Sequence, residues 1–142
     1  VKVKNNRHVY RYVPDFKAVV DGETVSNRRL PAEDQIVVKL TVITIDEDDA
    51  NQRAMFLAMK KFSPDKAQEL SEKRLNELLE KKFHGVEGLE VEGISNEDLN
   101  CWEGFRQEAP RSIVQDVIAA LRSEEILSEG EQKNFLPGSD GL

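Results

Sequence analysis

Few side chains in this sequence could carry out chemistry. His8 and His84 are its two histidines and Cys101 is its one cysteine. A catalytic nucleophile needs a base beside it, and a zinc site needs several ligands at short spacings such as His-x-x-x-His. His8 falls in a strand pattern and His84 at the end of a helical one, so neither segment supplies a second ligand. Both read as satisfied or solvent-facing histidines, His84 being well placed to interact with a helix C-terminus. Cys101 stands among Glu97, Asp98 and Glu103, neighbours that disfavour a thiolate, and it reads as a small core-facing residue. Asp46-Glu47-Asp48-Asp49 has the acidity of a calcium loop. Counting from Asp46, however, the positions that need glycine and glutamate hold Asn51 and Leu57. Gly85-Val86-Glu87-Gly88 matches the G-x-x-G of a KH loop, but Glu87, Glu90 and Glu92 would repel the phosphates that such a loop clamps. The reading is of no catalytic residue, no metal ligand and no cofactor.

What remains is contact. Met55, Phe56 and Met59 lie in a stretch, Ala54–Met59, that is apolar on nearly every side. Such a helix is either buried between layers, the reading preferred here, or presents a face to a partner, where methionine makes an adaptable surface. Trp102 and Phe105 follow Leu99 at helical spacing. They read first as core, and as partner anchors if they are exposed.

The elements that would position these residues are legible from the pattern. β-Branched and aromatic residues alternate with polar ones over residues 7–13 until Pro14. Residues 35–45 form the strongest strand signal, with Ile36, Val38, Leu40 and Val42 on one face and Val37, Lys39, Thr41 and Ile43 on the other. Asp21-Gly22 is a turn dipeptide, and a further short strand at 16–20 or 24–26 is possible beside it. Thr44 with Glu47 fits a capping box opening a helix to about residue 62. Ser63-Pro64 opens a second to about residue 83, closed by His84-Gly85, and residues 85–93 read as a loop or brief strand. Ser95 caps a third, and Pro110 opens a fourth in which Ile113, Val114, Val117, Ile118 and Leu121 make one apolar face. Ser128 with Glu131 would cap a last turn.

The chain has 142 residues with a net charge of −7 at pH 7, and a third of its residues are charged. That length suits one domain. The acidity argues against a general nucleic-acid binder, and no apolar run approaches the length of a membrane helix. With no apolar N-terminal stretch and a lone cysteine, a soluble cytoplasmic protein is expected. Charge is uneven: residues 1–45 carry eight basic and five acidic side chains, whereas residues 87–142 carry four and thirteen.

Two segments go further. Asn27-Arg28-Arg29-Leu30-Pro31-Ala32-Glu33-Asp34-Gln35-Ile36-Val37-Val38, with Leu40 and the Thr44-x-x-Glu47 helix start, resembles the N-terminal part of small tail-gene proteins of long-tailed bacteriophages and prophages. The ending Leu127-Ser128-Glu129-Gly130-Glu131-Gln132-Lys133-Asn134 is similar to theirs. The resemblance implies a tail assembly chaperone, which binds tape-measure or tail-tube protein before polymerisation in the host cytoplasm. It assigns no catalytic or ligand residue.

The expected fold is therefore α+β: a small antiparallel sheet with strands near 7–13 and 35–45, covered by about four helices near 46–62, 64–83, 95–107 and 110–122. Residues 1–136 would form one domain and 137–142 a flexible end. The expected function is non-enzymatic, in tail morphogenesis, with Met55, Phe56, Met59, Trp102 and Phe105 as the partner surface and self-association possible. One alternative is a structural virion subunit, for tail completion or head–tail joining, in which a sheet edge at residues 35–43 pairs between copies. Another is a small hydrolase or regulatory binding module, which requires a deep polar pocket with converging titratable groups.

Overall fold

The computed structural model describes residues 1–2 and 4–122, leaving aside the side chain of Val20. The Ser128 cap, the acidic ending at 127–134 and the end at 137–142 lie outside the described residues. The fold is α+β. Strands β1 (Tyr10–Tyr12), β4 (Val37–Leu40) and β5 (Phe83–Glu87) form one antiparallel sheet in the order β1-β4-β5. Strands β2 (Lys17–Val20) and β3 (Glu23–Ser26) form a separate hairpin. Five helices follow: α1 (Ile45–Lys61), α2 (Pro64–Lys82), α3 (Asn96–Leu99), α4 (Trp102–Glu108) and α5 (Arg111–Leu121).

The apolar strand face finds its cover. Ile36, Val38 and Leu40 are buried against Leu79 of α2, Trp102 and Phe105 of α4 and Ile113 and Val117 of α5, with Val42 on the margin. Because β4 is the central strand, Val37–Leu40 are flanked on both sides and form no sheet edge, contrary to the edge expected within residues 35–43; the edges of this sheet are β1 and β5.

The β2–β3 hairpin turns at Asp21 and Gly22, both at positive φ (52° and 82°). Two consecutive left-handed residues make the turn that matches strand twist, and Asp-Gly tolerates it. Asn27 then anchors the hairpin to the sheet. It is fully buried, and its Nδ2 donates to the Pro14 and Ile36 carbonyls at 3.0 Å each, while its Oδ1 accepts from the Ile36 amide at 2.8 Å.

The strands expected near 7–13 and 35–45 are shorter, Tyr10–Tyr12 and Val37–Leu40, and two further boundaries differ from expectation. Phe83 caps α2, which stops at Lys82 as expected to within one residue, but no closing turn follows: the chain enters β5 at once, so His84 and Gly85 lie in a strand, and of residues 85–93 those up to Glu87 take the brief-strand alternative. Gly85 has φ +117°, and a Cβ there would sit 2.5 Å from Asn100 Oδ1, so the strand can pass this close to Asn100 only as glycine. The helix expected over 95–107 is two helices. Asn100 divides them: its Oδ1 accepts from the Val86 amide at 3.0 Å and its Nδ2 donates to the Asn96 carbonyl at 2.6 Å. These bonds close α3 and tie it to β5, and Cys101 leaves helical geometry (φ −109°, ψ 148°) before α4 begins. Nothing in a helical periodicity reveals this, because it depends on a strand 14 residues earlier.

Replacing Asn27 by alanine strands three buried backbone groups at once. At roughly 1–3 kcal/mol for each unsatisfied group, partly relieved by relaxation, the expected loss is about 2–4 kcal/mol, read as a lowered urea midpoint.

Candidate functional site

Among the described residues, the C-terminal half of α1 carries the densest run of exposed large apolar side chains. Thr44 and Glu47 form the expected capping box: Thr44 Oγ1 accepts from the Glu47 amide at 3.2 Å, and Glu47 Oε1 accepts from the Thr44 amide at 3.0 Å. Asp46, Glu47 and Asp48 fill the first turn and Lys60 and Lys61 the last, both favourable to the helix dipole. The acidic run is thus a helix start. A tight connection follows, in which Ser63 Oγ accepts from the Lys66 amide and Pro64 begins α2. The two helices run as a hairpin.

Within it, Glu47, Asn51, Ala54 and Ala58 are half-buried, a row at helical spacing that faces inward. No residue of α1 is fully buried, and none joins the core or the side chains packed on its margin. The reading of Ala54–Met59 as a buried helix is therefore corrected. Met55 is 43% exposed, Phe56 61%, Leu57 57% and Met59 64%, with Phe62 at 45% and Ile45 at 80%. Lys60 Nζ stands 4.9 Å from the Phe56 ring centre, a solvent-side cation–π contact. An open groove of about 450 Å³ runs beside this surface between α1 and α2, lined by Leu57, Ala58, Phe62 and Leu70, with Lys61 and Arg74 at its rim.

One ion pair closes the hairpin at the end nearest the sheet. Lys82 Nζ lies 2.7 Å from Glu47 Oε1, joining the start of α1 to the end of α2, whose next residue is the first of β5. Burial opposes the charge on Glu47, but Lys82 and the Thr44 amide and hydroxyl together outweigh it and hold the carboxyl below its ordinary value.

Trp102 and Phe105 are not part of any surface. They are 2% and 0% exposed and form an aromatic cluster with Phe83, whose ring centre lies 5.6 Å from that of Trp102 and 4.8 Å from that of Phe105. Trp102 Nε1 donates to Asn76 Oδ1 at 3.4 Å. Their assignment as partner anchors is corrected: the sheet needs cover on this face, and the largest apolar side chains supply it. Cys101 moves the other way. It is exposed, with Sγ donating to the Asp98 carbonyl at 3.2 Å, because the break between α3 and α4 turns it outward.

The histidines stay on separate elements. His8 packs edge-on against Tyr10 (4.8 Å between ring centres), and His84 Nε2 is 3.1 Å from Thr41 Oγ1. Among the described residues no group of three or more His, Cys, Asp or Glu side chains is arranged to hold a metal ion. The G-x-x-G glutamate is drawn into a salt bridge: Glu87 Oε2 is 2.9 Å from Arg11 and Oε1 is 3.8 Å from Lys39. The Arg11 guanidinium outweighs partial burial, and with Lys39 it keeps the Glu87 carboxyl below its usual range. A second open cavity, of about 540 Å³, lies between the start of α1, Ile43, Leu75 and Leu121. Its ionisable groups, Asp46, Asp48 and Arg122, have neither histidine nor cysteine among them. Comparison with protein-family models, curated proteins and solved structures finds no match for this chain. Among the described residues no helix is long and apolar enough to cross a membrane.

A partly buried polar tie that sequence reasoning missed joins β1 to α5: Tyr12 Oη donates to Asp116 Oδ2 at 2.7 Å, and the Asp15 amide donates to the same oxygen at 2.8 Å. Burial, then the Asp116 carboxylate, raises the Tyr12 phenol above its usual range. The residues are 104 positions apart, and no local signal pairs them.

Two outcomes follow from this arrangement. Trp102→Ala should destabilise the fold by about 3–5 kcal/mol in urea unfolding, whereas Phe56→Ala should stay within roughly 1 kcal/mol, since only the first opens a cavity. Glu47→Gln keeps the capping geometry but removes the charge facing Lys82. Because the folded-state value is depressed, the charge stabilises above the ordinary carboxylate value of about 4.3, and this contribution disappears as pH falls through the lowered value. The Tm gap between the two chains should be full at neutral pH and close on acidification.

Proposed function

We propose that this protein acts in phage tail morphogenesis as a non-enzymatic assembly chaperone, holding a tape-measure or tail-tube protein through the outer face of α1. The observation that supports this reading is the exposure of Met55, Phe56 and Met59 on one helix whose inward face is already occupied by α2. A soluble protein rarely leaves such a set of large apolar side chains in water without a contact to make. Two methionines within it give a surface that can repack around differing segments, which suits a holder of unassembled subunits. The acidic segment 87–142, with thirteen acidic and four basic side chains, would keep a loaded complex soluble through like-charge repulsion.

In this reading the protein works in the cytoplasm of the infected cell and needs no cofactor. The client's apolar segment lies along α1, with the groove between α1 and α2 taking its larger side chains. Affinity comes from apolar burial, and release comes when subunit polymerisation covers the same client surface.

The test is a double substitution, Met55→Glu with Met59→Glu. Pull-down of the tape-measure and tail-tube proteins encoded in the same genome should be lost, while the far-ultraviolet circular dichroism and the unfolding midpoint stay those of the parent chain. Retained binding overturns the reading.

A further inference from the structure

We infer that α1 is also the interface between two copies of this chain, packed antiparallel so that two α1–α2 hairpins form a four-helix arrangement. The first ground is the state of the helix. A helix of 17 residues with no fully buried residue, packed chiefly on α2, leaves its outer face without cover. Its inward row, Glu47, Asn51, Ala54 and Ala58, faces α2; the opposite row, Ile45, Gln52, Phe56 and Met59, repeats at helical spacing and is exposed throughout. The second row has the form of a packing seam, with Met55 along one edge.

The second ground is charge, and it identifies the occupant as another copy. On the edge of the seam away from Met55 stand Asp49 near one end and Lys60 near the other. A twofold axis crossing the helix between residues 54 and 55 preserves that edge and reverses the helix direction. Asp49 of each copy then meets Lys60 of its partner, giving two equivalent pairs. The same operation brings Phe56 and Met55 together at the centre and sets Ile45 of one copy towards Phe62 of the other. A parallel twofold arrangement would exchange the two edges of the seam, so that Asp49 and Lys60 find no pairing between copies, and would align the helix dipoles unfavourably. The acidic start and basic end of α1 therefore select both the partner and its direction.

This goes beyond the client reading and does not depend on it. If both hold, the second copy covers the apolar face until a client segment displaces it, and the dimer is the storage form.

Sedimentation velocity on the full chain, without any client, tests it from low to high micromolar concentration. A species of twice 16.1 kDa should appear with rising concentration. Phe56→Glu should abolish it while the helical circular dichroism is retained. Asp49→Lys and Lys60→Glu should each weaken association by about fivefold to tenfold, as expected for two partly exposed pairs turned repulsive, and combining them in one chain should restore it. Mixing the two single variants should also restore it, because the mixed dimer has opposite charges at both contacts. A monomer at every concentration overturns the proposal, and so does a dimer that survives Phe56→Glu or a charge swap that fails to rescue. The client reading stands or falls separately, on the pull-down.

Discussion

Asn27 sits in a place where water cannot follow, and its carboxamide takes over the pairing of three backbone groups on two other segments. Those groups belong to Pro14, just past β1, and to Ile36, just before β4. The contact thus holds the β2–β3 hairpin, which would not persist alone in water, against the point where the two strands come together. With that point held, β4 enters the sheet in the register that turns Ile36, Val38 and Leu40 towards the helices. A slip of one residue would present Val37 and Lys39 instead.

From β4 the structure grows in two directions of unequal character. On one side α4 and α5, with Leu79 of α2, bury their apolar residues against the sheet and complete a dry core around Phe83, Trp102 and Phe105. On the other side α1 extends from the sheet through the Thr44 cap and is returned to it through Lys82 and Glu47. It shares no core. Its stability rests on local terms: a capping box, charges matched to the helix dipole, and a row of half-buried small residues against α2. Such a helix can exchange partners on its outer face without disturbing the fold beneath it. The physical basis for a contact function therefore lies in the separation between the core and the hairpin.

Several polar groups singled out by the sequence have partners within the fold. The aspartates at 46–49 start a helix, Glu87 is neutralised by Arg11 and Lys39, and His84 meets a threonine hydroxyl. The departure of Tyr12 from ordinary ionisation behaviour belongs to a tie between β1 and α5.

Much of this could be read along the chain because caps, turns and alternation act over a few residues. Thr44 and Glu47, Ser63 and Pro64, Ser95 and Asp98, Asp21-Gly22 and the two-sided pattern at 36–42 all behave as their local chemistry dictates. Which apolar faces would be covered was decided elsewhere. Ala54–Met59 is apolar throughout yet is left largely in water, whereas Leu99, Trp102 and Phe105, set among polar residues, are buried. A sheet face can seat only the helices that the connections bring to it, and Asn100 delivers α4 there by bonding to β5. Asn27 was equally illegible, an ordinary polar residue in a polar stretch until strands distant in sequence closed around it. Burial is a property of what arrives from the rest of the chain, and no periodicity within a segment records that arrival.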